Sequence, residues 1–202
     1  MLLLSMDDYA EITYYIRISK QNSLTQRQLQ EKIKNNEYNR LSNKTKNKLI
    51  KSEETNVQDL VKNPIIIKNH YDYTEISEKI LKKLILEDID CFLTELGEGF
   101  CYISNEYKIK LGNNYNYIDL LLYNIKFKCY IVVELKITEL RKEHIGQVQT
   151  YMNYIDKNIK TINEDKTIGI IIVKKNNKYI MEYCSDERIV FKEYLLIWQK
   201  YI

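Results

Sequence analysis

Tyr117-Ile118-Asp119-Leu120-Leu121-Leu122-Tyr123 and Ile131-Val132-Val133-Glu134-Leu135-Lys136-Ile137 read as two buried strands that carry charge where apolar residues belong. An unpaired ion in a low-dielectric interior is strongly unfavourable, so such strands normally exclude it. Side chains alternate along a strand: Glu134 and Lys136 point one way, and Leu135 between them points back into the core. With Asp119 on the facing strand, two carboxylates and an ammonium converge on one patch of an apolar sheet. An isolated Glu-x-Lys reads as a structural salt bridge. Apolar strands on both sides and the facing acid shift the weight to a functional site.

Working outward, the spacing of Ile76, Ile80, Leu84, Ile85, Ile89, Phe92 and Leu93 predicts a helix over 75–96, ended by Gly97 and Gly99. Strand-like segments follow at 100–103 and 107–111, then a turn at Gly112-Asn113-Asn114. After the two charged strands come a helix from about 139 to 158 and a buried strand at 167–173. A hairpin-like turn at 175–178 leads into 179–183, and an amphipathic segment at 191–201 reads as helical. The order αβββαβ implies an α/β fold, a mixed sheet flanked by helices with a right-handed crossover. The only proline, Pro64, marks a boundary between a helical region, 1–63, and the mixed region, 64–202. Two overlapping capping boxes, Ser23 with Gln26 and Thr25 with Gln28, announce a helix in the first region. That region is poor in apolar residues, so it is expected to dock on something or to belong to a larger assembly.

The chain of 202 residues, 45% hydrophobic and 29% charged, has room for one substantial domain and a small appendage, and is globular rather than disordered. Its longest apolar runs, such as 168–173, are too short to cross a bilayer. Met1-Leu2-Leu3-Leu4 is followed at once by Asp7 and Asp8 and lacks the apolar core of a signal peptide. Four scattered cysteines and two histidines make neither a zinc cluster nor a disulfide framework, and fit free thiols in a reducing cytoplasm. Charge is uneven. Between Arg17 and Lys51 ten basic residues face two acidic ones, a net of +8, which leaves −5 for the rest of a chain whose total is +3. A nucleic-acid-facing segment has this asymmetry, and so does a solvated helical face in a Lys-rich protein.

Two close carboxylates repel, and the usual remedy is a divalent cation with hard oxygen ligands. Mg²⁺ takes one or two carboxylates plus waters and a phosphate oxygen, which Asp119 and Glu134 offer; the Leu135 backbone carbonyl is a further candidate ligand, and Mn²⁺ a substitute ion. Lys136 beside the ion would orient or deprotonate the attacking water, or stabilise charge building on phosphorus.

The segments YIDLLLYN (117–124), VVELKI (132–137), GQVQTYMNYID (146–156), LTELGEGFCYI (93–103) and TIGIIIVKK (167–175) together resemble the YhcG-type branch of the PDDEXK nuclease superfamily. SLTQRQLQEKIKNNEYNRLS (23–42) resembles the end of the helical domain that precedes the nuclease there. The resemblance implies a restriction-endonuclease-like core, with Asp119 and Glu134 as metal-binding carboxylates and Lys136 as the catalytic lysine. It also implies a glutamate from the preceding helix. Glu78 matches best, seven and eleven residues before Ile85 and Ile89, and Glu87 competes for the role. Gln147 and Tyr151 match the family's Q-x-x-x-Y pattern; at i, i+4 they share a helix face and would contact the nucleic-acid backbone or hold Lys136. A core-edge polar pair is the bland alternative. His144, one turn earlier, reads as a surface or supporting residue. Family members are usually longer at the N-terminus, so 1–63 is expected to belong to a larger nucleic-acid-binding domain, with a partner region or a homo-oligomer completing it.

The expectation is a Mg²⁺-dependent endonuclease acting on nucleic acid, DNA foremost, with no membrane partner. The competing expectation is a non-catalytic nucleic-acid-binding or assembly module that keeps the nuclease fold. RNA or a special DNA structure as substrate stays open.

Overall fold

The computed structural model describes residues 6–71 and 73–198, and the chain divides into two compact units between Lys62 and Asn63. Met1–Leu4 and the end of the 191–201 segment lie outside the described residues. Among those described, no helix is long and apolar enough to cross a membrane.

The first unit is helical: α1 (Tyr9–Gln21), α2 (Gln26–Lys34), a 3-10 turn (Tyr38–Arg40), α3 (Asn43–Ile50) and α4 (Val57–Leu60). Of the two capping boxes, the Thr25–Gln28 pair is the one formed; Ser23 instead turns the chain with a φ of 48°. The core is small and aromatic. Tyr15, Ile18, Tyr38 and Leu41 are buried, with Leu24, Leu29, Ile33 and Leu49 packed on them. Buried Glu37 accepts from the Tyr14 hydroxyl at 2.9 Å and pairs with Lys32 at 3.0 Å and Lys62 at 3.5 Å. Lys48 pairs with Asp59 at 2.6 Å. Part of the basic charge of 17–51 is therefore consumed inside the unit. Arg17, Lys20, Arg27, Lys34, Lys44 and Lys51 stay exposed.

The second unit is a six-stranded mixed sheet, β1 (Ile65–Asn69), β2 (Phe100–Leu111), β3 (Asn114–Asn124), β4 (Cys129–Glu139), β5 (Ile168–Lys175) and β6 (Ile189–Trp198), in the spatial order β1-β6-β5-β4-β3-β2. β2, β3 and β4 form an antiparallel meander; β4 with β5, β5 with β6 and β6 with β1 run parallel. Between β4 and β5 lies α7 (Lys142–Asn158), and α5 (Glu78–Glu87) and α6 (Ile89–Leu96) precede β2. The core thus has the expected αβββαβ order, flanked by β1 and β6.

Local differences from the sequence expectation have local causes. The helix over 75–96 breaks at Asp88 (φ −129°, ψ 53°), giving α5 and α6. The segments 100–103 and 107–111 are one strand with an irregularity between Tyr102 and Ser104. No hairpin follows 175–178. The Asn177 side chain accepts the Ile180 N–H and starts a short helix, α8 (Lys178–Glu182). The segment from 191 is a strand, not a helix. It lies inside the sheet with β5 on one side and β1 on the other, so both backbone edges are satisfied by neighbours that amphipathic spacing alone does not reveal. At the β1 edge, buried Glu95 of α6 accepts the Ile66 N–H at 3.0 Å.

α7 covers the face of β4 and β5 that carries Val132 and Ile171, through Val148, Tyr151, Met152 and Ile155. Its C-terminal end is pinned by Asp156, which accepts the Thr167 N–H at 2.8 Å and pairs with Arg188 at 3.1 Å. Close approach depends on Gly169, since a Cβ there would lie 2.5 Å from Val148 Cγ1 and 2.6 Å from Met152 Sδ. Gly169→Ala is expected to force α7 off β5 at a cost of about 1–3 kcal/mol. Thermal or urea unfolding would register the loss, and a wild-type midpoint would refute the packing argument.

Candidate active site

β3 and β4 pair from Asn124↔Cys129 as far as Leu120↔Val133, and one further step along the register sets Asp119 opposite Glu134. At that step the Asp119 side chain takes over as acceptor: its Oδ2 receives the Leu135 N–H at 3.0 Å. This orients the carboxylate along the strand edge and leaves Oδ1, which accepts from Lys82 Nζ of α5 at 2.9 Å. Both Asp119 oxygens are occupied.

Glu134 is 2% exposed. One oxygen, Oε1, pairs with Lys136 Nζ at 2.8 Å, and the other, Oε2, is buried with no hydrogen-bond partner. Burial first, and then the charge of Asp119, push its carboxyl up to about 7 against the opposing pull of Lys136. Burial would lower Lys136, yet Glu134, Glu78 and Asp119 outweigh it and hold the ammonium above the ordinary lysine value. Lys136 is firmly cationic in this arrangement, which suits charge stabilisation better than proton abstraction.

Glu78 opens α5, where the Ser77 hydroxyl accepts the Ile80 N–H, and its Oε2 lies 3.5 Å from Lys136 Nζ. It is exposed rather than seated on an apolar face, and Ile89, expected beneath it, belongs to α6. Glu87 pairs with Lys83 at 3.7 Å and accepts from the Tyr71 hydroxyl. On α7, Gln147 Nε2 donates to the Tyr151 hydroxyl at 2.9 Å, so the two bond each other rather than Lys136. Burial raises the Tyr151 phenol; Gln147 opposes this, and the fields of Glu134 and Asp119 add to it. His144 is buried, not on the surface. Its Nδ1 accepts the Arg141 N–H at 3.2 Å at the start of α7, a structural cap.

Two residues were missed from sequence. Lys82 bridges Asp119 Oδ1 and Glu106 Oε1 at 2.9 and 3.0 Å. Its place four residues after Glu78 on one helix face was the available signal. Glu106 has a φ of 48°, rare for a residue with a side chain, and by register it stands across β2 from Asp119. A groove of about 430 Å³ opens beside this bridge, lined by Lys79, Lys82, Lys83, Glu87, Asn105 and Glu106.

The donor set fits a hard divalent cation. Glu134 offers a buried oxygen with nothing bound to it, and its neighbour Asp119 is a second carboxylate. Among the described residues no three His, Cys, Asp or Glu side chains are arranged to hold an ion unaided. The protein would therefore supply a minority of ligands, as is usual for Mg²⁺, with water, backbone oxygen and substrate phosphate filling the rest.

The family model described as the YhcG PDDEXK nuclease domain matches residues 58–200. A protein described as putative nuclease YhcG, from Escherichia coli (strain K12), is 23% identical over 115 residues, 57% of this chain and 31% of that protein. The chain thus spans about a third of that relative's length. Among solved structures, a repair endonuclease from Pyrococcus abyssi aligns with a TM-score of 0.42 at 20% identity, over 61% of this chain and 48% of that one. EndoMS in the EndoMS-dsDNA2 complex aligns with a TM-score of 0.44 at 19% identity, over 61% and 48%.

The raised carboxyl of Glu134 links stability to pH. Its folded-state value, about 7, lies above the ordinary 4.5, so its contribution is fully present below pH 4.5 and is lost as pH rises through 7. Metal-free protein is expected to lose on the order of 3 kcal/mol between pH 5 and pH 8, at about 1.4 kcal/mol per pKa unit. Glu134→Gln should abolish most of that slope. Urea unfolding in EDTA at both pH values measures it, and equal slopes for the two proteins would contradict the burial cost assigned to Glu134.

Proposed function

The chain belongs to the YhcG PDDEXK nuclease domain family, and on that premise we propose that it is a metal-dependent endonuclease that hydrolyses phosphodiester bonds in DNA. The observation that carries the metal dependence is the buried, unpartnered oxygen of Glu134 beside Asp119. A fold kept for binding or assembly alone gains nothing from that cost. Asp119 and Glu134 are the metal-binding carboxylates, and the Leu135 carbonyl is a further ligand. When bound, the ion polarises the phosphate and lowers the pKa of a water.

The chain's own residues do the rest. Lys136, cationic and 2.8 Å from Glu134, stabilises the charge that develops on the phosphoryl oxygens. Glu78 holds the Lys136 ammonium from the α5 side at 3.5 Å. Gln147 and Tyr151, locked to each other, close the α7 side of the site and present an amide and a phenol to the substrate backbone. Lys82 neutralises Asp119 while the ion is absent. Released from Asp119, it faces the groove with Lys79 and Lys83, where three ammoniums suit a phosphate backbone. Residues 64–202 are the nuclease domain and 1–63 a basic helical region whose exposed Arg17, Lys20, Arg27 and Lys34 contact phosphates. The four free cysteines favour a reducing cytoplasm.

The decisive assay incubates the purified chain with plasmid, linear duplex and single-stranded DNA in Mg²⁺, Mn²⁺ or EDTA. Asp119→Ala and Lys136→Ala are each expected to lower cleavage by about 10²–10³-fold. Cleavage that survives both substitutions would sink the site, and binding without cleavage under every ion would leave the non-catalytic module instead. Lys82→Met, which removes a cation 2.9 Å from Asp119, is expected to bind Mn²⁺ about tenfold more tightly. Titration followed by electron paramagnetic resonance measures this, and weaker binding would reverse the role given to Lys82.

A further inference from the structure

Beyond Asp119 the β2–β3 pair runs on as an arm, closed by the two-residue turn Gly112-Asn113, with Gly112 at a φ of 61°. Its two faces differ. Ile109 and Ile118 are wholly buried, with Tyr107 and Leu111 packed on the same core cluster, so the arm is held rigidly along one side. The other side carries Tyr115 and Tyr117, 54% and 52% exposed, and across from them Lys110 and Lys108, both exposed. Lys108 Nζ lies 3.8 Å from the centroid of the Tyr115 ring, which fixes both on that side. By strand alternation Tyr115, Tyr117 and Asp119 share a side, and at about 3.3 Å per residue the rings stand roughly 7 and 13 Å from Asp119. Glu106, the acid on this stretch of β2, is already tied to Lys82.

Two half-exposed tyrosine rings, one of them with Lys108 seated over one face, alternate with two lysines on a rib that ends at the carboxylates, and this matches one kind of occupant. Phosphates meet the lysines, and bases stack on the rings. Stacking on a protein ring requires a base that is not already inside a duplex. An acidic protein surface would use the lysines but leave the tyrosine faces unexplained.

We propose that this face of the arm is a single-stranded nucleic-acid track that leads the strand to be cut into the Asp119–Glu134 site. The proposal rests on the nuclease reading and adds the substrate class: a strand, flap or end whose nucleotides are unpaired next to the cut. Neither tyrosine touches the carboxylates, so the site's geometry does not depend on them.

The test uses the full chain in EDTA, where no cleavage occurs, with fluorescence anisotropy on a labelled single-stranded oligonucleotide and on its duplex. Tyr115→Ala/Tyr117→Ala is expected to weaken single-strand binding about tenfold or more while leaving duplex binding within about twofold, the size expected for losing base–aromatic stacking. Tyr115→Phe/Tyr117→Phe, which keeps the rings, should restore it. Lys108→Ala/Lys110→Ala should weaken both and flatten the salt dependence by about two phosphate contacts. Thermal melting confirms that each variant is folded. Equal losses on single strand and duplex, or none on either, would overturn the track and leave the nuclease reading standing if wild type still cleaves in Mn²⁺. A wild-type chain that neither binds nor cleaves nucleic acid overturns both.

Discussion

One carboxylate that cannot be fully satisfied organises the second unit. Glu134 is buried at the centre of the sheet, on a strand flanked by β3 and β5, with a single lysine for a partner and one oxygen bonded to nothing. A buried ion of this kind is tolerated only when the surroundings over-determine it. Here the neighbours do so. Val133 and Leu135 anchor the opposite face of β4, Lys136 follows at the next position on the same side, and Asp119 is fixed opposite by the Leu135 N–H.

The helices act as clamps on this strand pair. α5 delivers Glu78 and Lys82 from a single face, one to Lys136 and the other to Asp119. α7 delivers Tyr151 from the other direction, and its height above the sheet is set by Gly169, twenty-two positions along the chain from Gln147. The site therefore depends on packing at β5 as much as on its own charges. A single methyl group at Gly169 would be felt at Tyr151, because Val148 and Met152 flank it on the same helix.

Much of this was legible in the sequence because the informative signals were local. Apolar runs with misplaced charge located β3 and β4. A 3.6-residue rhythm located one helix over 75–96, which the structure divides into α5 and α6, and i, i+4 spacing put Gln147 and Tyr151 on one helix face. What escaped depended on neighbours distant in sequence. β6 looks helical until β1, more than a hundred residues earlier, is known to lie beside it. Glu106 is unremarkable in the chain and meaningful only through the β2–β3 register, which an irregularity at Tyr102–Ser104 shifts. Asn177 could start a turn or cap a helix, and which of these it does is decided by the backbone it meets. His144 looked peripheral because its partner is a main-chain N–H, invisible to side-chain patterning.

The charges of the site argue for its occupant independently of any family likeness. Glu78, Glu106, Asp119 and Glu134 are linked through contacts of 2.8–3.5 Å to Lys82 and Lys136, four acids against two bases. Fully ionised, the cluster carries two uncompensated negative charges. Glu134, the acid most withdrawn from water, is pushed up to about 7 first by that burial and then by the charge of Asp119. A proton relieves half of the imbalance at the cost of the carboxylate, whereas a monovalent cation leaves Glu134 and Asp119 still repelling. A divalent cation held by Asp119 and Glu134 would balance the excess, and the buried, unpartnered Glu134 Oε2 would be available to it. The cluster would then be close to neutral, and Lys82, no longer needed by Asp119, would be left to meet an anionic phosphate.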